Sequence, residues 1–409
     1  LEQFAIACCF IFVPIANSNF HIHNNLQYSM RYSNLSRRGF LKYSTAFGSG
    51  VLLTQLVSCS SKPETQASAD GSTLSIEDWT KPPDVARAKE QVKEFITYGM
   101  PDDWANYGEV RQKFAAKHGF QFQHEDTDMS SLEEITKFDA EKNNPKAMMG
   151  DIGMLYGPLA EKRGVVPNYL PPNASVLPAG LKASSGGWIA TFVGVPAIVV
   201  NTDVVNNVPR TWADLAKSEY AGKVGAIDPV KSGTAATSFL SWVYASGGDE
   251  SNMAPGVDLS KKIVANFAAT EGNAQTLEKG EVPIQIKYDY NCNAAANAVK
   301  EKGVNAEVII PGTSIYAPSA LMVNKYNTAR MDAAKLFMEY VLSDEGQEVF
   351  AKFGARPIRY VLGDLKLPDS AKAGWLPESQ YAQVQQVKDW TKVDPETLGN
   401  FWKEQVLGG

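Results

Sequence analysis

Between residues 91 and 350, strand-length apolar runs alternate with longer segments that carry helix-start signals, and this alternation confines the chain to layered α/β folds. Residues 91–98 read as a first strand, stopped by Gly99-Met100-Pro101. A helix through Trp104, Val110, Phe114 and Ala115 follows, then a second strand in 119–125. Asp128-Met129-Ser130-Ser131 reads as a helix start, with Ser130 or Ser131 as cap and Glu133 or Glu134 in the first turn. Further strands are expected in 151–155, 197–201, 222–229, 284–286, 308–311 and 317–323. Helices are expected after Tyr156-Gly157-Pro158, from Ser232-Gly233-Thr234 to Ala245, and over 329–350. Strand and helix in turn imply mostly parallel sheets flanked by helices.

The region ahead of this pattern reads as an address. Ser36-Arg37-Arg38-Gly39-Phe40-Leu41-Lys42 looks like a twin-arginine export signal, with Arg37 and Arg38 the pair read by the twin-arginine translocase. The run 43–58 is shorter than the roughly 20 apolar residues a membrane-spanning helix needs, so it reads as the apolar part of a signal peptide. Leu56-Val57-Ser58-Cys59 resembles a lipobox, in which Cys59 is diacylated and becomes the first mature residue. Residues 1–29 precede Met30, the better start, and are set aside as a non-native upstream segment; 30–58 is then the signal peptide. Residues 59–90, with Ser60, Ser61, Pro63, Ser68 and Pro82-Pro83, are expected to be a flexible linker.

Charge and cysteine count narrow the class. Residues 1–58 hold four basic residues and Glu2, which leaves 35 basic against 44 acidic residues in the remainder and argues against a nucleic-acid surface. Of the 4 cysteines, Cys8, Cys9 and Cys59 precede the folded part, leaving Cys292 alone, so no intrachain disulfide can form there. The roughly 320 residues after the linker must be held by an apolar core, and they suffice for two lobes. His118 and His124 are the only histidines after the signal, and no zinc-protease, paired-cysteine, nucleophile-elbow or phosphate-loop motif is present. An exported enzyme is the alternative of another class.

Candidate site residues fall where strands end. Ser232, Gly233 and Thr234 offer backbone N–H groups and hydroxyls to an anion or a carbonyl oxygen, or Ser232 simply caps its helix. Asp102 and Trp104 follow the first strand, where Asp102 or Asp103 reads either as a ligand contact or as a cap; Ser130 and Ser131 carry the same two readings. Tyr288-Asp289-Tyr290 places two phenols and a carboxylate at a strand end. On an extended chain Tyr288 and Tyr290 share a face and Asp289 points away. Rings with Asp289 and Asp102 would suit an organic cation, and core packing of the tyrosines is the plainer alternative. Tyr156, Tyr98 and Tyr107 are further oxygen donors, with Trp188 and Tyr316 more remote members.

The order of Asn201-Thr202-Asp203, Pro209-Arg210-Thr211-Trp212-Ala213-Asp214-Leu215, Asp228-Pro229, Ser232-Gly233-Thr234, Pro311-Gly312-Thr313 and Ala334-Lys335-Leu336-Phe337 with Leu342-Ser343-Asp344-Glu345-Gly346-Gln347 resembles the solute-binding proteins of ABC importers with the type II periplasmic fold, in their iron(III)-type branch. The resemblance spans residues from about 90 to 405. It implies a two-lobed α/β protein, lobe 1 holding 90–195 and 310–365 and lobe 2 holding 196–309 and 366–409, that closes on a ligand and delivers it to an ABC permease. It further implies a monomer, lipid-anchored outside the inner membrane, with no resident cofactor and with ferric iron as the leading transported ligand. Tyr288 and Tyr290 stand where that branch carries its ferric-binding tyrosines, although those are adjacent and here Asp289 intervenes. A polyamine, phosphonate or sugar phosphate is the alternative solute.

Overall fold

The computed structural model describes residues 74–408; the export signal, the lipobox with Cys59, and residues 59–73 of the expected linker lie outside the described residues. The strands are β1 (Glu94–Tyr98), β2 (Gln123–Thr127), β3 (Met149–Gly153), β4 (Trp188–Gly194), β5 (Pro196–Asn201), β6 (Val224–Gly225), β7 (Ile284–Tyr288), β8 (Ala306–Ile309), β9 (Ala317–Val323) and β10 (Arg356–Pro357). The helices that position the site are α1 (Val85–Gln91), α2 (Tyr107–His118), α3 (Ser131–Ala140), α4 (Gly233–Ala245), α5 (Asp289–Lys300) and α6 (Met331–Val341). The strands form a six-stranded sheet in the order β10-β4-β9-β3-β1-β2 and a four-stranded sheet in the order β6-β7-β5-β8. This is a two-lobed α/β architecture, as the resemblance implies.

Strand direction departs from the expected pattern. β1 runs parallel to β2 and β3, and β6 parallel to β7, but β9 is antiparallel to β3 and β4, β10 to β4, and β5 to both β7 and β8. The reason is the crossing between sheets: β4 leaves one sheet at Gly194, β5 enters the other at Pro196, and the chain returns into β9 at Ala317. A strand that arrives from the other lobe enters against the local βαβ direction.

Part of the expected linker is folded. Residues 76–80 form a short 3₁₀ turn and 85–91 a helix, so the first strand begins at Glu94 rather than at Gln91. Trp79 is buried, and its indole N–H donates to the Lys325 carbonyl at 2.8 Å. The Lys335 ammonium on α6 donates to the carbonyls of Asp78 and Lys81 at 2.9 and 2.7 Å and lies over the Trp79 and Tyr169 rings. Arg87 pairs with the buried Asp332 at 2.5 Å, which docks α1 on α6. One indole and two buried charges, each with a partner far along the chain, order a stretch whose polar composition predicts none of it.

A large core runs under both sheets, and a smaller cluster of Val195, Val199, Cys292, Ala296, Val308 and Tyr381 packs on the far face of the four-stranded sheet. Cys292 is fully buried, and burial pushes its thiol up, out of reactive range. No helix among the described residues is long and apolar enough to cross a membrane.

Candidate functional site

Loops from the two sheets face one another across a cavity of about 940 Å³. The six-stranded side contributes Gly99, Trp104, the start of α3 at Ser130 and Ser131, and Asp151 and Gly153 at the end of β3. The four-stranded side contributes Asp228, the start of α4 at Ser232, Gly233 and Thr234, and Tyr288 where β7 ends. The two sides touch where Gly153 and Gly233 meet: a Cβ built on either glycine would lie 3.1 Å from the other's Cα.

The floor is aromatic and acidic. Asp151 accepts from Trp104 Nε1 at 2.8 Å and from the Tyr107 hydroxyl at 3.0 Å. Burial pushes its carboxyl up to about 7, against the lowering effect of those two donors. The Trp104 ring, held by Asp151, reaches the other lobe and lies 6.4 Å from the Tyr288 ring and 5.7 Å from the Tyr290 ring. Behind the floor, Glu134 on α3 is fully buried with both oxygens unpartnered, beside the Cα atoms of Gly99 and Gly150. Burial, with Asp151 nearby, pushes its carboxyl well above its ordinary value.

The expected residues divide. Ser232, Gly233, Thr234, Trp104, Ser130, Ser131 and Tyr288 line the cavity. Ser232 makes no side-chain cap to α4, so the first N–H groups of that helix are left to the cavity, whereas Ser130 is tied to Glu133, whose carboxylate accepts from the Ser130 N–H and hydroxyl. Ser131 Oγ accepts from the Gly153 N–H at 3.0 Å and so braces β3.

Tyr288 and Tyr290 are brought together with rings 5.7 Å apart, but not by strand alternation: β7 stops at Tyr288 and α5 starts at Asp289, so Tyr290 lies in a first helical turn. Burial pushes the Tyr288 phenol up to about 12, and its hydroxyl is 3.2 Å from Thr237 Oγ1. Tyr290 sits outside the lining, packed by Trp104, Phe192 and Phe353, and its hydroxyl is buried with no partner.

Two expected contacts lie elsewhere. Asp102 is exposed and pairs with the buried Arg111, which also donates to the Met100 carbonyl, so it braces α2 on the loop after β1. Asp289 is buried outside the cavity, accepting from the Val195 N–H at 2.9 Å and from Tyr381 Oη at 2.5 Å; burial pushes it up to about 6 despite these donors. Tyr156 is buried beside the site but outside its lining, and Tyr98 turns away to Glu141 at 2.8 Å.

The lining also holds residues that the sequence does not single out as ligand contacts: Asp128, Glu133, Asp151, Asp228, Glu271, Lys231 and Lys287. Asp151 carried a legible signal, an acid inside the otherwise apolar run Met148-Met149-Gly150-Asp151-Ile152-Gly153. With Asp103 the lining has six carboxyl groups against two ammonium groups. Among the described residues no cluster of three or more histidine, cysteine, aspartate or glutamate side chains could hold a metal ion.

Comparison with known proteins places this geometry. The family model described as bacterial extracellular solute-binding protein matches residues 156–383, more than half of the chain. A protein of Haemophilus influenzae is 27% identical over 239 residues, covering 54% of this chain and 65% of its own length. A sulfate-binding protein of Synechocystis is 32% identical over 161 residues, 36% of this chain and 43% of its own length. The matches thus span less than two thirds of these curated relatives. A periplasmic binding protein from Actinobacillus pleuropneumoniae with fructose-6-phosphate bound superposes with a TM-score of 0.60 at 20% identity, covering 78% of this chain and 100% of that one. A ferric binding protein from Campylobacter jejuni gives 0.58 at 20% identity, covering 76% and 98%. At such identities the structural likeness shows the fold, while the bound species differ among the neighbours.

Proposed function

The chain belongs to the bacterial extracellular solute-binding proteins, and from that premise we propose that it is the receptor of an ABC importer, capturing a small organic cation such as a polyamine between its lobes and handing it unchanged to a membrane permease. In this reading the lobe of 90–195 and 310–365 carries the six-stranded sheet, the lobe of 196–309 and 366–409 carries the four-stranded one, and closure brings Trp104 against Tyr288. The observation that carries the cationic ligand is the lining: six carboxyl groups against Lys231 and Lys287, with Asp151 held by the Trp104 indole beside the Tyr288 ring. Charge of one sign in a cleft with low-dielectric walls attracts the opposite sign, and ring faces favour an alkylammonium. The cavity is of the size that small-molecule sites commonly have.

A ferric ligand is the second reading, favoured by the Tyr288 and Tyr290 rings 5.7 Å apart and by the unpartnered Tyr290 hydroxyl. Phenolate oxygens suit a hard cation, but both phenols are raised by burial and only the ion itself would ionise them. A sulfate or sugar phosphate would meet the open first turn of α4 and Lys231, but inside a lining of net negative charge.

Thermal melting of the purified protein with spermidine, ferric citrate, sulfate or fructose-6-phosphate separates these ligands. Spermidine at 100 times its dissociation constant is expected to add about 2.7 kcal/mol of stability. A response to sulfate or the sugar phosphate with none to spermidine overturns the cationic reading. A red absorbance on ferric loading that is lost in Tyr288→Phe establishes the ferric one instead.

We also assign export to the Arg37-Arg38 pair and membrane attachment to Cys59. Cys59→Ser is expected to move the protein from the membrane fraction to the soluble one, and persistence in the membrane fraction would contradict the lipid anchor.

A further inference from the structure

The crossing between β4 and β5 is a single fully buried residue, Val195, and both of its backbone groups are held by one partner. Its N–H donates to Asp289 Oδ1 at 2.9 Å, and its carbonyl accepts from the Asp289 N–H at 2.8 Å. The second carboxylate oxygen of Asp289 accepts from Tyr381 Oη at 2.5 Å. The Tyr381 ring lies under the Arg356 guanidinium, 3.6 Å from it, with Trp375 at 4.5 Å and the Glu378 carboxylate at 2.9 Å.

The members of this chain come from different parts of the fold. Arg356 is in β10 of the six-stranded sheet, Asp289 is the first residue of α5 beside the four-stranded sheet, and Tyr381 belongs to the small core cluster on that sheet. Asp289 also separates Tyr288, which lines the cavity, from Tyr290, which packs on Trp104. A relative rotation of the lobes must change the backbone torsions around Val195 and the position of β10 against Tyr381, so both ends of the chain lie on the path of the motion.

We infer that Asp289, Tyr381 and Arg356 form a hinge clasp that biases the protein toward its closed arrangement and couples the aromatic floor of the cleft to the crossing strand, an inference that rests on the proposed capture by lobe closure. The three are positioning residues, since none of them lines the cavity. The clasp costs nothing in ligand contacts when it is broken, so its loss falls on the balance between open and closed forms and on the lifetime of the complex.

Tyr381→Phe removes the hydroxyl and keeps the ring under Arg356. The ligand-free variant is expected to show a larger radius of gyration than wild type in small-angle scattering. Spermidine is expected to leave it roughly fivefold faster in stopped-flow tryptophan fluorescence, the factor that one net hydrogen bond corresponds to. A wild-type radius and a wild-type dissociation rate in Tyr381→Phe overturn the clasp, as does a lowered melting temperature with both unchanged, which is what a purely structural bond gives. If Tyr381→Phe does not fold, Arg356→Lys, which keeps the charge and loses the stack, is read in the same way. If wild type shows no response to spermidine, the polyamine reading fails, and the ligand-free radii of wild type and variant still decide the clasp.

Discussion

Asp151→Asn is expected to weaken spermidine binding at pH 8 by roughly 30-fold or more, because removing one partner of a buried, hydrogen-bonded charge pair costs about 2 to 5 kcal/mol. The fold should survive the change. An asparagine can point its oxygen at Trp104 Nε1 and its amide at the Tyr107 hydroxyl, which can accept where before it donated. The larger signature is in pH. Burial holds the Asp151 carboxyl at about 7 in the native protein against a reference value of 3.8. The native state therefore binds more protons than the unfolded one between these values. The stabilisation from this group is complete below about pH 4 and is lost as pH rises through 7.

A bound cation reverses the preference, because it favours the ionised carboxylate. Binding then releases a proton below pH 7, and affinity should rise by up to about tenfold per pH unit until the free carboxyl is ionised, then level off. Burial pushes Glu134 up as well, and the primary amines of spermidine stay charged throughout. Calorimetric titration between about pH 5.5 and 8.5, in buffers of different ionisation enthalpy, measures both the slope and the proton. A wild-type slope in Asp151→Asn would remove this residue from the site.

What the sequence makes legible follows the range of the interaction responsible. The start of α4 at Gly233 is a local matter, a turn ahead of an apolar helix, and the structure begins the helix there. The Tyr288-Asp289-Tyr290 segment is found as a strand end, but its geometry depends on where β7 gives way to α5, and one residue's difference sends Asp289 to the crossing strand instead of into solvent or ligand. Asp102 is claimed by Arg111, nine positions away around a loop, and nothing in composition announces that pair. Trp79 is the extreme case: its indole partner is Lys325, 246 positions later, so a stretch that reads as linker is ordered by a pocket that exists only after the rest has folded. Asp151 is readable from the sequence, since an acid within a buried apolar strand has a cost that a structural role seldom repays.

The second large effect is expected from Gly233→Val. Gly233 is the first residue of α4, with no left-handed torsion to protect, and valine has a better intrinsic helix propensity than glycine, so the isolated lobe has no reason to suffer. The obstacle lies across the cleft. A Cβ at Gly233 meets the Gly153 Cα at 3.1 Å and its nitrogen at 3.5 Å, with Ser131 Oγ at 3.7 Å, and the two nearest are backbone atoms that cannot rotate aside. Two methyl groups beyond that Cβ make the overlap worse. Every one of these contacts joins β3 or α3 of one lobe to α4 of the other, so the strain is confined to the arrangement in which the lobes are together. Overpacking of this kind costs about 1 to 3 kcal/mol, which corresponds to roughly 5- to 150-fold weaker binding, while the open form is untouched. Melting of the ligand-free protein and calorimetry with spermidine separate the two consequences. If the ligand-free melting temperature drops steeply, the glycine contact belongs to the resting fold, and closure does not depend on a moving interface at this point. If affinity is unchanged, the lobes do not come this close around the ligand at all. Loss of affinity with melting preserved identifies Gly153 and Gly233 as the bearing surface on which the cleft shuts.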